Sequence, residues 1–358
     1  MDKKYMRLAI QEAKKGQGQT FTNPLVGAVI VKDARVLAKG AHLAYGQNHA
    51  ERNAIKWCQS SEELFHSTMY VTLEPCNHFG KQPPCTQLIV DSGIKKVVIG
   101  QLDPSPLVAG QGCAFLEKNG VEVVVSVAME EVRALNTFYN FFYENQRPYV
   151  ALKQALTLDG RVALSRQHQT MITGQETWQQ VRKERGDYQA ILVGSQTVLA
   201  DNPTLRTFHA NKFPPIRLVL DRRGRVFEQE DLHLFQDTNA QVWVFTEKAQ
   251  SRQLPKHVEQ IYLPEVTIAH VLAELTKRKI QSIYVEGGPT IHDAFLASGL
   301  WDELITYLSP KVIGGNSPVS FGSQRRASQV TPLSEVTCEK YGEDFRIRGR
   351  RKSECLLD

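Results

Sequence analysis

Between residues 49 and 85 the chain carries an imidazole, two thiols and a carboxylate at spacings that suit a metal. They fall in His49-Ala50-Glu51, Glu74-Pro75-Cys76 and Pro83-Pro84-Cys85. A structural zinc normally takes four protein ligands, whereas a catalytic zinc takes three and keeps one position for water. His49, Cys76 and Cys85 make three. Glu51 follows the imidazole by two residues, where a carboxylate can carry protons beside metal-bound water. Zinc brings the pKa of that water toward neutrality, so the chemistry predicted is hydrolysis. A purely structural zinc would leave Glu51 without a purpose.

These residues need particular elements to position them. His49 precedes a helix-like run, Glu51–Trp57, and Cys76 follows a strand-like run, Met69–Leu73. Cys76 is therefore expected where a strand hands over to a helix, whose N-terminus favours thiolate over thiol. Around them, apolar spacing predicts a helix over 3–15, ended by Gly16, and strands over 25–31 and 35–39. A strand at 68–74, a helix at about 84–92, a strand at 96–100, a helix at about 111–119 and a strand at 121–126 follow. Alternation of this kind predicts an α/β fold, a sheet covered by helices on both faces, with the site at the strand ends.

At 358 residues the chain is long for one core, and two domains are expected, 1–146 and 147–358. The net charge of +5 comes without a long basic run, which suits an anionic small molecule at least as well as nucleic acid. Six cysteines show no disulfide spacing, and no signal peptide or membrane-length apolar run is seen. A cytoplasmic enzyme with no nucleic-acid or membrane partner is expected. The join lies near Leu135–Pro148, where an aromatic cluster, residues 136–143, is read as packing between domains.

The order His-x-Glu, then Pro-Cys, resembles the signature of the zinc deaminases of nucleobases, which ends Pro-Cys-x-x-Cys. Here eight residues, Asn77–Pro84, separate the two cysteines. With that insertion, Thr22-Asn23-Pro24-Leu25-Val26-Gly27, His42-x3-Gly46-x2-His49-Ala50-Glu51 and Leu102-Asp103-Pro104-Ser105-Pro106 together resemble one family. It is the bifunctional riboflavin-biosynthesis pyrimidine deaminase/reductase, which usually has Asn where Ser105 stands. The resemblance implies a cytidine-deaminase-like α/β/α sandwich. It also implies a diaminopyrimidinone ribosylamino 5′-phosphate substrate that loses its 2-amino group. Asn23, His78, Lys81 and Asp103 would hold ring, ribosyl and phosphate groups; His78 and Lys81 suit a phosphate chemically.

The second half again alternates. Strands are expected at 149–156, 190–194, 216–220, 241–246 and 282–286, helices at about 175–185, 267–278 and 290–298, and a closing hairpin at 333–350 turning at 342–344. No Gly-x-Gly-x-x-Gly follows the first strand, so an ordinary Rossmann domain is not indicated. Instead Glu286-Gly287-Gly288-Pro289-Thr290 puts two glycines between a strand and a helix, where backbone amides can approach a phosphate. Lys153, Leu158-Asp159-Gly160, Ile172-Thr173-Gly174 and Thr197–Leu205 complete a resemblance to the reductase half of the same family.

That resemblance implies a dihydrofolate-reductase-like fold and hydride transfer from NADPH that opens ribosyl to ribityl. Thr197, Asp201 and Gly287, Gly288, Pro289 and Thr290 would contact the dinucleotide; Lys153, Arg185, Leu205 and Glu286 would face the substrate. Two positions depart from the family. Met171 stands where Trp is usual, which alters one wall of the cofactor pocket. Arg222 stands where a small hydroxyl residue is common, and would pair with the 2′-phosphate of NADPH. Zinc and NADPH are thus the expected cofactors, and a homo-oligomer the expected assembly. The alternatives are an active deaminase with a non-catalytic C-terminal dimerisation module, and a tRNA adenosine-editing enzyme. The editing reading predicts Pro-Cys-x-x-Cys and a clustered basic face, neither of which the sequence has.

Overall fold

Strand residues 27–32 alternate between two apolar layers, and that alternation sets the architecture of the first half. In the computed structural model, which describes residues 1–79, 83–106, 109–165, 170–208, 212–250, 253–326 and 330–352, the chain forms two compact units. The first, Met1–Gln146, contains α1 (Asp2–Ala13), β1 (Gly27–Lys32), β2 (Arg35–Ala41), α2 (Ala50–Lys56), α3 (Ser61–Leu64), β3 (Thr68–Leu73), α4 (Cys85–Asp91), β4 (Lys96–Gln101), α5 (Gln111–Lys118), β5 (Glu122–Val124), α6 (Met129–Arg133) and α7 (Thr137–Asn145).

Its sheet runs β2-β1-β3-β4-β5, antiparallel across the first three strands and parallel after. Ala28, Ile30, Met69, Val71, Val97 and Ile99 face one way and pack against Ala54, Ile89 and Leu116 of α2, α4 and α5. Val29, Val31, Tyr70 and Val98 face the other way, onto Met6, Ala9 and Ile10 of α1 and Val132 of α6. Period-two burial on both faces is what a helix-covered sheet requires. Close docking depends on small residues: a Cβ on Gly40 of β2 would lie 2.3 Å from the carbonyl O of Ala50 and 2.3 Å from the N of Ala54. Helix α2 therefore rests directly on the strand.

The second unit, Arg147–Asp358, contains β6 (Tyr149–Thr157), α8 (Gln175–Arg185), β7 (Ala190–Gly194), α9 (Ser195–Asp201), β8 (Ile216–Leu220), α10 (His233–Gln236), β9 (Val242–Thr246), β10 (Val258–Tyr262), α11 (Ile268–Lys277), β11 (Ser282–Gly287), α12 (Pro289–Ser298), β12 (Glu303–Ser309), β13 (Leu333–Tyr341) and β14 (Asp344–Arg351). The sheet order is β10-β9-β8-β7-β11-β6-β12-β14-β13. It is parallel from β10 to β12, and β14 lies antiparallel to both its neighbours. Helix α11 shows why this half folds as it does: Ile268, Val271, Leu272 and Leu275 form one buried stripe, and Thr267 caps its start by accepting from the His270 amide at 3.2 Å. That stripe packs on Val150, Leu192, Leu218 and Ile283, while Ile191, Val193, Val219 and Val244 fill the opposite face.

The aromatic run at 136–143 lies largely in helix α7, and Tyr139 and Phe142 are buried. Two sequence expectations need correction. Strands β10 and β12, which the sequence did not lead one to expect, join the second sheet, β10 at one edge and β12 between β6 and β14. In the closing hairpin Tyr341 pairs with Asp344, so the turn itself is only Gly342-Glu343.

Candidate active sites

In the first unit His49 is the N-cap residue of α2. An N-cap side chain ordinarily accepts from a first-turn amide, but His49 makes no such bond. Its Nδ1 instead lies 3.5 Å from Cys76 Sγ and 3.4 Å from Cys85 Sγ. The three ligand atoms all fall within 4.8 Å of one another. Asn53 on α2 ties the helix to the end of β2 through its amide bond to the Ala41 carbonyl, 2.8 Å. The imidazole is thereby held at a fixed distance from the sheet.

Cys76 lies in the segment after β3, and Cys85, not Cys76, opens the helix α4. The expected strand-to-helix handover at Cys76 is corrected accordingly. The intervening loop spends its length and returns: the Cys85 amide points at Cys76 Sγ at 3.5 Å, the Thr86 amide donates to the Cys76 carbonyl at 3.2 Å, and Thr86 Oγ1 donates to Asn77 Oδ1 at 2.7 Å. Two thiols nine positions apart in sequence are thus brought to one point. The bond with Cys85, and then His49, holds the Cys76 thiol far below its usual range, while Cys85 is pushed up.

Glu51 sits in the first turn of α2, 3% exposed, and its Oε2 has no hydrogen-bond partner. Burial pushes its carboxyl up. A buried, unpartnered carboxylate oxygen beside a nitrogen and two sulfurs fits a zinc with room for a reacting molecule, and two thiolates with an imidazole are donors that zinc takes readily. Asn23 Nδ2 lies 3.1 Å from His42 Nε2, and the His42 ring stands 5.7 Å from that of His49. His78 is exposed. Asp103 is buried, and its carboxylate accepts from the Ser105 amide at 2.8 Å and from the Tyr139 hydroxyl at 2.9 Å. Lys81 lies outside the described residues.

Sequence reasoning gave Glu74 no role, yet it shapes this site. Its buried carboxylate accepts backbone N–H groups from Asp103, Gly110, Gly112 and Cys113 at 2.9–3.2 Å. Glu74 stands two residues before Cys76, so one segment supplies a thiol and also anchors the loop that carries Asp103.

The second unit's site is a cavity of about 1000 Å³ at the C-terminal ends of β6, β7, β8 and β11, where open parallel sheets place ligands. Lys153, Arg185, Leu205 and Glu286 line it, as do Thr197, Asp201, Arg222, Gly288, Pro289 and Thr290. Gly287 adjoins them, at φ +103°, a conformation that side chains rarely adopt. Glu286 is gripped by Arg185, Nε to Oε1 at 2.5 Å and Nη2 to Oε2 at 2.9 Å, and Lys153 Nζ stands 3.6 Å from Oε2. Burial would raise the Glu286 carboxyl, but Arg185 and Lys153 overcome it and hold the group down at about 2. Burial lowers Lys153. The β11–β7 pairing shifts register between Val285 and Gly287, at Glu286 itself.

Thr197 and Gly288 are neighbours: a Cβ on that glycine would lie 3.3 Å from the Thr197 Oγ1. Pro289 is the first residue of α12, so the helix start faces the cavity with the glycine pair before it. Arg222 is exposed at the cavity wall beside Arg223, while Arg225 donates to Ser195 Oγ at 2.9 Å. Met171 is 65% exposed and lines the same cavity.

The family model of the cytidine and deoxycytidylate deaminase zinc-binding region matches residues 1–101, and that of the RibD C-terminal domain matches 148–347. A riboflavin biosynthesis protein RibD of Bacillus amyloliquefaciens is 41% identical, over 97% of this chain and 95% of that protein. A solved diaminohydroxyphosphoribosylaminopyrimidine deaminase/5-amino-6-(5-phosphoribosylamino)uracil reductase from Thermotoga maritima is 39% identical. It matches with a TM-score of 0.85 over 98% of this chain and 99% of that one. Acinetobacter baumannii RibD, at 32% identity, matches with a TM-score of 0.87 over 98% and 99%. With both halves and nearly the whole length in agreement, the chain belongs to the RibD family of riboflavin biosynthesis, bifunctional enzymes that join a zinc-dependent deaminase to an NADPH-dependent reductase.

Proposed function

We propose that the chain hydrolyses the 2-amino group from a 2,5-diamino-6-ribosylamino-pyrimidinone 5′-phosphate, and then reduces the ribosyl chain of that product to ribityl. Residues 1–146 act as the deaminase and 147–358 as the reductase. The observation that carries the first step is the unpartnered, buried Oε2 of Glu51 beside the three donor atoms. His49, Cys76 and Cys85 hold zinc, which when bound supplies a Lewis acid to water and substrate. Glu51 takes a proton from the attacking water and delivers it to the departing nitrogen; a carboxyl raised by burial suits both halves of that transfer. Asn23, His78 and Asp103 face the pyrimidine nucleotide, and Lys81 is assigned to the phosphate on residue type alone.

In the second unit NADPH supplies the hydride. Lys153, Arg185 and Glu286 form a buried charged cluster that orients the sugar, with Leu205 as an apolar wall. Thr197, Asp201 and the turn Gly287–Thr290 receive the dinucleotide, and Arg222, exposed at the wall, pairs with the 2′-phosphate. A cavity with this lining argues against an inert second unit. A reducing compartment such as the cytoplasm fits the free thiols of Cys58, Cys76, Cys85, Cys113 and Cys338. No described helix is long and apolar enough to cross a membrane. Self-association into a homo-oligomer completes the proposal.

The test incubates purified protein with the diaminopyrimidinone phosphate, with and without NADPH. Ammonia should appear without NADPH, and cofactor oxidation should follow deamination. Glu51→Gln should cut ammonia release by about 10²–10⁴-fold while zinc content and oxidation of NADPH by pre-deaminated substrate persist. Full turnover by that variant would reject the assignment.

A further inference from the structure

The reductase cavity holds an aromatic side chain that none of these roles uses. Trp178 on α8 lines the cavity and is 47% exposed. Val181 and Arg185, three and seven residues further on, line the same cavity, so the three form one stripe of α8. Arg185 is the guanidinium that grips Glu286. Trp178 therefore stands about 10 Å along the helix from the charged cluster, at 1.5 Å per residue.

The ring is also held in place. The Arg182 guanidinium carbon lies 4.6 Å from the indole centroid, and Arg182 is itself fixed by donating to the Thr207 carbonyl at 2.8 Å. A cation over one side of an indole defines its plane. Meanwhile Met171, exposed in the same cavity, occupies the position where the sequence resemblance leads one to expect tryptophan. A thioether gives contact but no flat π surface.

We propose that Trp178 is a ring-binding residue of the reductase, its indole stacking on a planar heteroaromatic ring that enters the cavity. The inference rests on reading this cavity as the reductase site. Two ligands carry such rings, the pyrimidine substrate and the dinucleotide, and the experiment separates them.

Full-length wild type, Trp178→Leu and Trp178→Phe are titrated calorimetrically with NADPH and, separately, with the deaminated pyrimidine phosphate. Wild-type tryptophan emission is followed in parallel. Trp178→Leu should weaken at least one ligand about tenfold, and Trp178→Phe should recover most of that loss. The ligand that weakens is the one that stacks, and it should also quench wild-type emission. Both ligands binding Trp178→Leu as tightly as wild type would overturn the proposal and leave the cavity assignment standing. Wild type binding neither ligand would overturn both.

Discussion

Glu74 and His292 show two ways of burying a titratable group beside a site. Glu74 meets four backbone amides and so fixes a loop, a use that only the fold reveals because its partners are main chain. His292, on α12 at the reductase cavity, is 4% exposed with Nε2 3.2 Å from the Val285 carbonyl O, and burial takes it down from 6.5 to about 4. Unfolded chain takes up the proton near 6.5, whereas the folded imidazole stays neutral until about 4. Falling pH in that window therefore favours the unfolded state, and stability returns as pH rises through it. His292→Gln keeps a donor for the Val285 carbonyl and removes the titration. From pH 7 to pH 4 the wild type should lose about 3 kcal/mol more than the variant, from the pKa difference alone. Urea midpoints for both across that range measure it; parallel curves would mean an imidazole that titrates normally.

At the scale of elements, helix α2 brings both His49 and Glu51, and its height above the sheet is set by Gly40. A methyl there has only backbone to meet, the carbonyl of Ala50 and the amide nitrogen of Ala54, and these cannot rotate away. Gly40→Ala should therefore lift the helix start, cost about 1–3 kcal/mol as overpacking does, and lower the zinc retained after dialysis. A thermal melt and metal analysis decide it, and an unchanged melt with full zinc would show that the helix does not rest on the strand so closely. Strands β1 and β4 were legible because Ala28-Val29-Ile30-Val31 and Val97-Val98-Ile99 are short, continuous, mostly β-branched apolar runs, as strands buried on both faces are. Strand β12 alternates instead, with Glu303, Ile305 and Tyr307 buried, but two polar residues in Glu-Leu-Ile-Thr-Tyr blurred its outline. Helix α7 escaped because Phe138, Tyr139, Phe141, Phe142 and Tyr143 are aromatic residues that favour strands by propensity, although Thr137, Asn140 and Glu144 recur at helical spacing. The three donors that lie within 4.8 Å of one another were legible by type and order, whereas Trp178 was not: its relevance comes from a cavity assembled by four distant strands.

For the molecule as a whole, each site draws its described residues from one unit alone. The donors and Glu51 lie within Met1–Gln146, and the cavity lining, from Lys153 to Pro318, lies within Arg147–Asp358. The resident metal therefore stabilises one fold and not the other, because only the unit that binds it gains the binding free energy. Removing zinc with a chelator leaves two cysteines, an imidazole and the buried Glu51 carboxyl close together without the cation that would balance two thiolates. The melting of the first unit should drop and ammonia release should vanish, both returning when zinc is restored. NADPH oxidation with pre-deaminated substrate should continue unchanged in the metal-free protein, since the Glu286 carboxylate is paired with Arg185 and Lys153 without any ion. Metal content, both activities and the melt are measured on the same samples. Reduction lost in step with zinc would show that the two sites depend on each other, and the separation argued from their residues would fail.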